Sequence, residues 1–196
     1  MAALAEDEVC HQWRLACALG DARLTRRLWS TGLVDELTRA QGWRIACADN
    51  HPDLAEWIWS HGPLPPQNIQ LAWESVCLED RLYLLRRCRH SHLTPVSEEE
   101  ETDYRQRRYR LAQWIWSLGV PDGRMEEVLV TAAERGHLEM TQWVWSLRVS
   151  DETLAGAWRA AAVQSQVEMT DWLWSVVEID LQQEDIYLIW KVLVNR

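Results

Sequence analysis

The densest grouping of side chains that could do chemistry is Cys88-Arg89-His90-Ser91-His92, with Cys77 eleven residues before it. Thiolates and imidazoles bind zinc, but structural zinc sites draw their ligands from spaced pairs, which this run lacks. Cys77 also belongs to a repeating apolar position, so no metal is expected. His51 and His137 each stand where one short helical pattern gives way to the next, and a local hydrogen bond is their expected role. The sequence holds no nucleophile motif, glycine-rich phosphate loop or paired-carboxylate arrangement. It reads as a chain without catalysis and without a cofactor.

Arginine is the remaining candidate. Residues 1–80 carry 12 acidic and 6 basic side chains, residues 81–110 carry 5 and 8, and residues 111–196 carry 13 and 6. The middle of a chain of net charge −10 therefore turns basic. Arg81, Arg86, Arg87, Arg89, Arg105, Arg107, Arg108 and Arg110 make up the cluster, and guanidinium suits bidentate recognition of carboxylate or phosphate. One reading is a partner site. The other is a solvated helix that pairs with itself, because Glu101 with Arg105 and Asp103 with Arg107 are i, i+4 pairs. Ser97 or Thr94 would cap that helix, and its acidic residues suit a first turn.

An acidic balance argues against general nucleic-acid binding and against residence on an anionic membrane, since both need a broad cationic face. No stretch of about 18 apolar residues is present to cross a bilayer. Glu6, Asp7 and Glu8 stand where a secretion signal would be basic and then apolar. Of five cysteines, Cys17, Cys47 and Cys77 recur every 30 residues as buried small apolar groups would, which fits a reducing compartment, cytoplasmic or nuclear. A chain 47% hydrophobic and 26% charged has ample material for a folded core.

The elements that position these residues are written in tryptophan, of which there are 14, with no phenylalanine. One register comprises Trp13, Trp43, Trp73 and Trp158, each opening a segment such as Trp43-Arg44-Ile45-Ala46-Cys47. A second comprises Leu28-Trp29-Ser30, Trp57-Ile58-Trp59-Ser60, Trp114-Ile115-Trp116-Ser117, Trp143-Val144-Trp145-Ser146 and Trp172-Leu173-Trp174-Ser175. Sixteen residues separate the registers wherever both are present, Trp13 to Trp29, Trp43 to Trp59, Leu129 to Trp145 and Trp158 to Trp174, and successive copies lie 29 or 30 apart, which is the signature of a repeat array. Within a copy, Trp43, Ala46 and Cys47 make the stripe of a first helix, and Leu54, Trp57 and Ile58 that of a second. Trp59 lies about 200° round the helix from Trp57, so the second helix is expected to be sandwiched with both indoles in the core. The expected core is Trp13, Trp29, Trp43, Trp57, Trp59, Trp73, Trp114, Trp116, Trp143, Trp145, Trp158, Trp172 and Trp174. Gly32, Gly62 and Gly119 follow the serine by two residues, where a helix end wants a left-handed residue.

One copy carries a family resemblance. Leu129-Val130-Thr131-Ala132-Ala133-Glu134-Arg135-Gly136-His137-Leu138-Glu139-Met140-Thr141-Gln142-Trp143-Val144-Trp145 resembles an ankyrin repeat in its paired alanines, its Gly-His turn and its closing apolar run. The likeness extends to about five of six copies, and this copy matches it most specifically. The usual Thr-Pro-Leu-His opening is absent, with Trp-Arg in its place in three copies, and the period is shorter than the family's. This short, Trp-rich style is similar to divergent ankyrin-like repeats of large DNA viruses of amoebae and of protists. The resemblance implies an all-α solenoid of about six helix-turn-helix repeats with little or no β structure. It also implies a non-enzymatic module that holds a partner protein on first helices and inter-repeat loops.

The third and fourth copies, about 73–119, are irregular, the fourth having lost the stripe of its first helix. A partial helix at about 184–194, from Ile186 to Val194, is expected to cap the array on Trp172 and Trp174. The whole of 1–196 reads as one domain. The alternatives to a binding module are a structural subunit of a virion or homo-oligomer, and polyanion recognition by the central arginines; sequence leaves monomer and homo-oligomer equally open.

Overall fold

A computed structural model describes residues 2–78, 98–121, 124–147, 149–176 and 194. The expected cap at 184–194 therefore lies, Val194 apart, outside the described residues. All described secondary structure is helix or turn, in ten helices: α1 Ala2–Leu19, α2 Ala22–Trp29, α3 Glu36–Ala48, α4 Pro52–Trp59, α5 Pro66–Leu78, α6 Glu98–Ser117, α7 Met125–Glu134, α8 Leu138–Ser146, α9 Asp151–Val163 and α10 Val167–Val176. The chain is all-α. Backbone contacts divide it into two units, Met1–Gly123 and Arg124–Arg196.

In the first unit α1 packs on α2, α3 on α4 and α5 on α6, while α1, α3 and α5 also pack on one another in sequence. In the second, α7 packs on α8, α9 on α10, and α7 on α9. Five helix pairs result among the described residues; the second helix expected for the third copy, Tyr83 to Cys88, lies outside them. Residues 98–117 form one unbroken helix rather than a first helix followed by a second, because neither glycine nor proline interrupts them. Their inward stripe is Tyr104, Arg108, Leu111, Ala112 and Ile115, of which the last four are buried.

Four of the five pairs turn in the same way. Gly20, Asn50, Gly136 and Ser165, all seven residues after the first-register position, have φ of 68°, 62°, 73° and 59°. The next residue donates its N–H back into the first helix, Asp21 to Ala16, His51 to Ala46, His137 to Ala132 and Gln166 to Ala161, at 2.9–3.0 Å. These bonds satisfy carbonyls that the helix end leaves open. Neighbouring turns also stack. A Cβ on Gly20 would meet the His51 ring at 2.6 Å, and one on Gly136 would collide with the Gln166 side chain. The second turns show the expected positive φ at Gly32, Gly62 and Gly119 (69°, 130° and 88°). The serine before each donates its hydroxyl to the carbonyl three residues back, as do Ser146 and Ser175, at 2.6–2.7 Å in all five pairs.

The core runs between the helices of each pair. Trp13, Trp43 and Trp73 are fully buried and Trp158 nearly so. The second-register indoles lie elsewhere than expected. The residue between them is the buried one, Ile58, Ile115, Val144 and Leu173, because a step of about 100° puts the two rings on its flanks. Trp29, Trp57, Trp59, Trp114, Trp116, Trp143 and Trp172 are half-buried, and Trp145 and Trp174 are exposed rather than core. The two flanks have different neighbours. The second indole of a pair meets its own first helix, as in Trp13–Trp29, Trp43–Trp59, Trp73–Trp116 and Trp158–Trp174, with centroids 5.3–6.0 Å apart and planes inclined 40–49°. The first indole faces the preceding pair, as in Trp59–Trp114 at 6.2 Å and Trp145–Trp172 at 5.9 Å, both near perpendicular.

The turns give a graded expectation. Gly32→Ala and Gly119→Ala place a Cβ at positive φ in open space and should cost about 1–2 kcal/mol each. Gly20→Ala and Gly136→Ala add a collision with a packed side chain, worth roughly 1–3 kcal/mol more. Urea unfolding of the four variants checks the order; equal losses at Gly32 and Gly20 would refute the stacking.

Candidate functional site

The four described arginines of the cluster do not share one surface. Arg81, Arg86, Arg87 and Arg89, together with Cys88, His90 and His92, lie outside the described residues. The other four sit on α6 in three different states. Arg105 is held by Glu101 at 2.5 Å and Arg107 by Asp103 at 3.0 Å, the i, i+4 pairs expected for a self-paired helix. Arg110 is exposed. It lines a cleft of about 410 Å³ with Pro52, Asp53 and Glu56 of α4 and Asp103, Arg107 and Leu111 of α6.

Arg108 departs from the expectation of a partner site, being only 3% exposed. Its guanidinium donates to the Ser75 carbonyl of α5 at 3.1 Å and to the Tyr104 hydroxyl at 3.0 Å. Burial follows from register, since α6 turns Arg108 to the same side as Leu111, Ala112 and Ile115. A partner cannot reach it without opening the α5–α6 contact. One turn earlier, the Asn50 side-chain amide donates to the Tyr104 carbonyl at 3.0 Å, tying α6 to the turn between α3 and α4.

A second buried arginine had no distinguishing signal in the sequence. Arg39 of α3, 6% exposed, donates to the Gly62 carbonyl at 2.7 Å and to that of Pro63 at 3.4 Å, holding the loop after α4. His51 was expected to bond locally, but its Nε2 lies 3.0 Å from the Ala18 carbonyl of α1, so its bond links one helix pair to the preceding one. His61 stands against Trp57 at 4.4 Å and Trp29 at 4.8 Å, both edge-on. The Arg26 guanidinium lies 5.8 Å from the Trp57 ring centre. Across this small aromatic group, α2 and α4 share a cation–π contact.

In the second unit the first helices α7 and α9 flank a cleft of about 500 Å³ lined by Glu126, Glu127, Val130, Thr131, Ser150, Glu152 and Thr153. Arg124 pairs with Glu127, and the Ser150 hydroxyl donates to Glu126 at 3.3 Å. Glu152 is exposed. The cleft's charge is negative, the sign opposite to that expected for the binding region. Spacing could have found it, because Glu126, Glu127 and Glu152 fall in the opening turns of equivalent first helices.

Cys17, Cys47 and Cys77 are buried, as their 30-residue spacing led one to expect. Burial pushes Cys17 up to about 12, against a smaller downward effect of the Thr25 hydroxyl. Cys47 is raised well above the ordinary thiol range by burial alone, and Cys77 is raised by burial despite the opposing charge of Arg108. Their folded values lie above the unfolded ones. The stability they contribute is therefore complete below the unfolded thiol value near pH 8.5 and falls as the pH rises beyond it.

Two measurements follow. Arg108→Ala strips two bonded oxygens inside the α5–α6 contact and should lower unfolding free energy by about 2–4 kcal/mol, whereas Arg110→Ala should change it by less than about 0.5. At pH 8 an aromatic disulfide reagent should leave Cys17, Cys47 and Cys77 unmodified until denaturant is added; rapid modification of the folded chain would contradict their burial. In comparisons with known proteins, no family model, no curated protein and no solved structure matches this chain.

Proposed function

We propose that the chain is a non-enzymatic protein-binding module, built as a shortened, tryptophan-rich, ankyrin-like solenoid. The observation that carries the reading is the recurrence of one helix-turn-helix unit with its hydrogen bonds intact. Four first turns share a left-handed residue and the same return bond, and four pairs share the same tilted indole contact. Units that repeat their internal contacts while varying their exposed residues offer a row of equivalent positions, which suits recognition of an extended protein surface. First helices adjoin within each unit, and their exposed residues are where such a module would hold its partner. Free, buried thiols agree with a cytoplasmic or nuclear setting.

Less supports an anion-binding role for the arginines, since Arg108 is buried and Arg105 and Arg107 are occupied by carboxylates of their own helix. The acidic cleft between α7 and α9 favours a partner that brings positive charge to it.

The decisive experiment is affinity capture from the native cells with the wild-type chain and with Glu126→Arg combined with Glu152→Arg. A partner in near-stoichiometric amount, reduced at least tenfold by the double variant, is the expected outcome. Absence of any stoichiometric partner would overturn the reading.

A further inference from the structure

Among the described residues, the second helices of the second unit carry one face that no other helix covers. On α8, Glu139, Gln142 and Trp145 follow at three-residue steps, and 29 residues later α10 repeats the stripe as Glu168, Asp171 and Trp174. All six are exposed. Trp145 keeps 40% and Trp174 48% of its surface in solvent, a large apolar area for two equivalent positions. The stripes adjoin, because Trp145 meets Trp172 of α10 edge-on. In the first unit the same column reads Arg23, Arg26 and Trp29 on α2, Asp53, Glu56 and Trp59 on α4, and Arg110, Gln113 and Trp116 on α6. There the three indoles are half-buried and the sign of charge alternates from helix to helix.

Charge and ring chemistry name the occupant. Glu139 and Glu168 beside two exposed indoles attract a cation that also tolerates an apolar surface, and guanidinium is weakly hydrated, planar and able to lie on an indole face. The chain already uses this contact where Arg26 of one pair lies over Trp57 of the next. A second copy of the chain carries the same net charge of −10, which opposes its approach to an acidic face. We infer that the α8–α10 face binds an arginine-bearing amphipathic segment of a partner protein, guanidinium over Trp145 or Trp174 and beside Glu139 or Glu168, its apolar residues against the indole edges. The inference rests on the protein-binding reading and adds a surface separate from the first-helix cleft.

The test uses the full chain and a dye-labelled 18-residue helical peptide with arginine along one edge and leucine along the next, titrated by anisotropy. Companion peptides carry lysine or glutamate in place of arginine. The arginine peptide should bind, the lysine peptide several-fold more weakly and the glutamate peptide not at all. Glu139→Lys with Glu168→Lys changes only exposed helix positions, so the fold is kept, and should weaken the arginine peptide at least tenfold. Trp145→Ala, its helicity checked by circular dichroism, should do the same.

Equal weakening by Glu126→Lys with Glu152→Lys would mean diffuse charge attraction and overturn the inference. So would equal affinity for arginine and lysine peptides with Trp145→Ala silent. A dimer seen by light scattering that Trp145→Ala dissolves would assign the face to a second copy instead, which also overturns it. The module reading has its own arm: if the cellular partner is still lost on reversing Glu126 and Glu152 while the peptide ignores α8 and α10, only this inference falls.

Discussion

The fold depends on one contact, the tilted meeting of a first-helix indole with the second indole of its own pair. It occurs in four of the five pairs at nearly one distance and one inclination. An aromatic pair of this kind contributes about 0.5–1.5 kcal/mol beyond the area it buries. Its greater effect is geometric. Two large rings that meet constrain how far each helix extends past the turn, and the 16-residue spacing is kept even from Leu129 to Trp145, where no indole opens the pair. The constraint is spatial rather than sequential: Trp73 meets Trp116, 43 residues on, with the same geometry.

That pair shows how the array tolerates an insertion. The other second helices begin seven residues before their second indole, whereas α6 begins 18 before it. The added turns run past the level at which neighbouring pairs stack turn on turn. There the Tyr104 carbonyl accepts from Asn50, and Arg108 bonds Ser75 on the paired first helix. A guanidinium serves because it reaches several oxygens at once from a helix whose own backbone bonds are satisfied. The basic character of residues 81–110 thus has in part a structural origin.

Much of this architecture was legible in sequence, and the reasons differ by residue. The two registers were readable because a solenoid needs its large rings in the same place in each unit, so Trp13, Trp43, Trp73 and Trp158 recur in buried positions. The left-handed first turn was not read in sequence, because its column, Gly20, Asn50, Gly136 and Ser165, mixes residue types and the last has no intrinsic preference for positive φ. Burial of the second-register indoles was overestimated. An angle of about 200° between Trp57 and Trp59 requires neighbours on two flanks but does not say how much of each ring those neighbours cover. Arg39 and Arg108 were illegible as core residues, since a composition count treats every arginine as solvated and only the packed neighbours supply the carbonyls that make burial tolerable.

The choice of tryptophan over phenylalanine follows from magnitudes. The Nε1 groups of Trp13 and Trp43 are buried without an acceptor among the described residues, a cost of about 1–3 kcal/mol each. Gly42 is required beside Trp13, because a Cβ there would collide with its Nε1. Burying an indole removes on the order of 200 Å² from water, worth roughly 5 kcal/mol at about 25 cal/mol/Å², which exceeds that cost. A phenyl ring avoids the unpaired N–H but spans less of the gap between helices and leaves less edge for a neighbouring pair. The wide ring is therefore favoured wherever one side chain must touch two elements. Where no described element covers it, as on the outer edges of Trp145 and Trp174, the same residue choice leaves an indole in solvent. The demand that builds the core thus also generates the aromatic surface available to a partner.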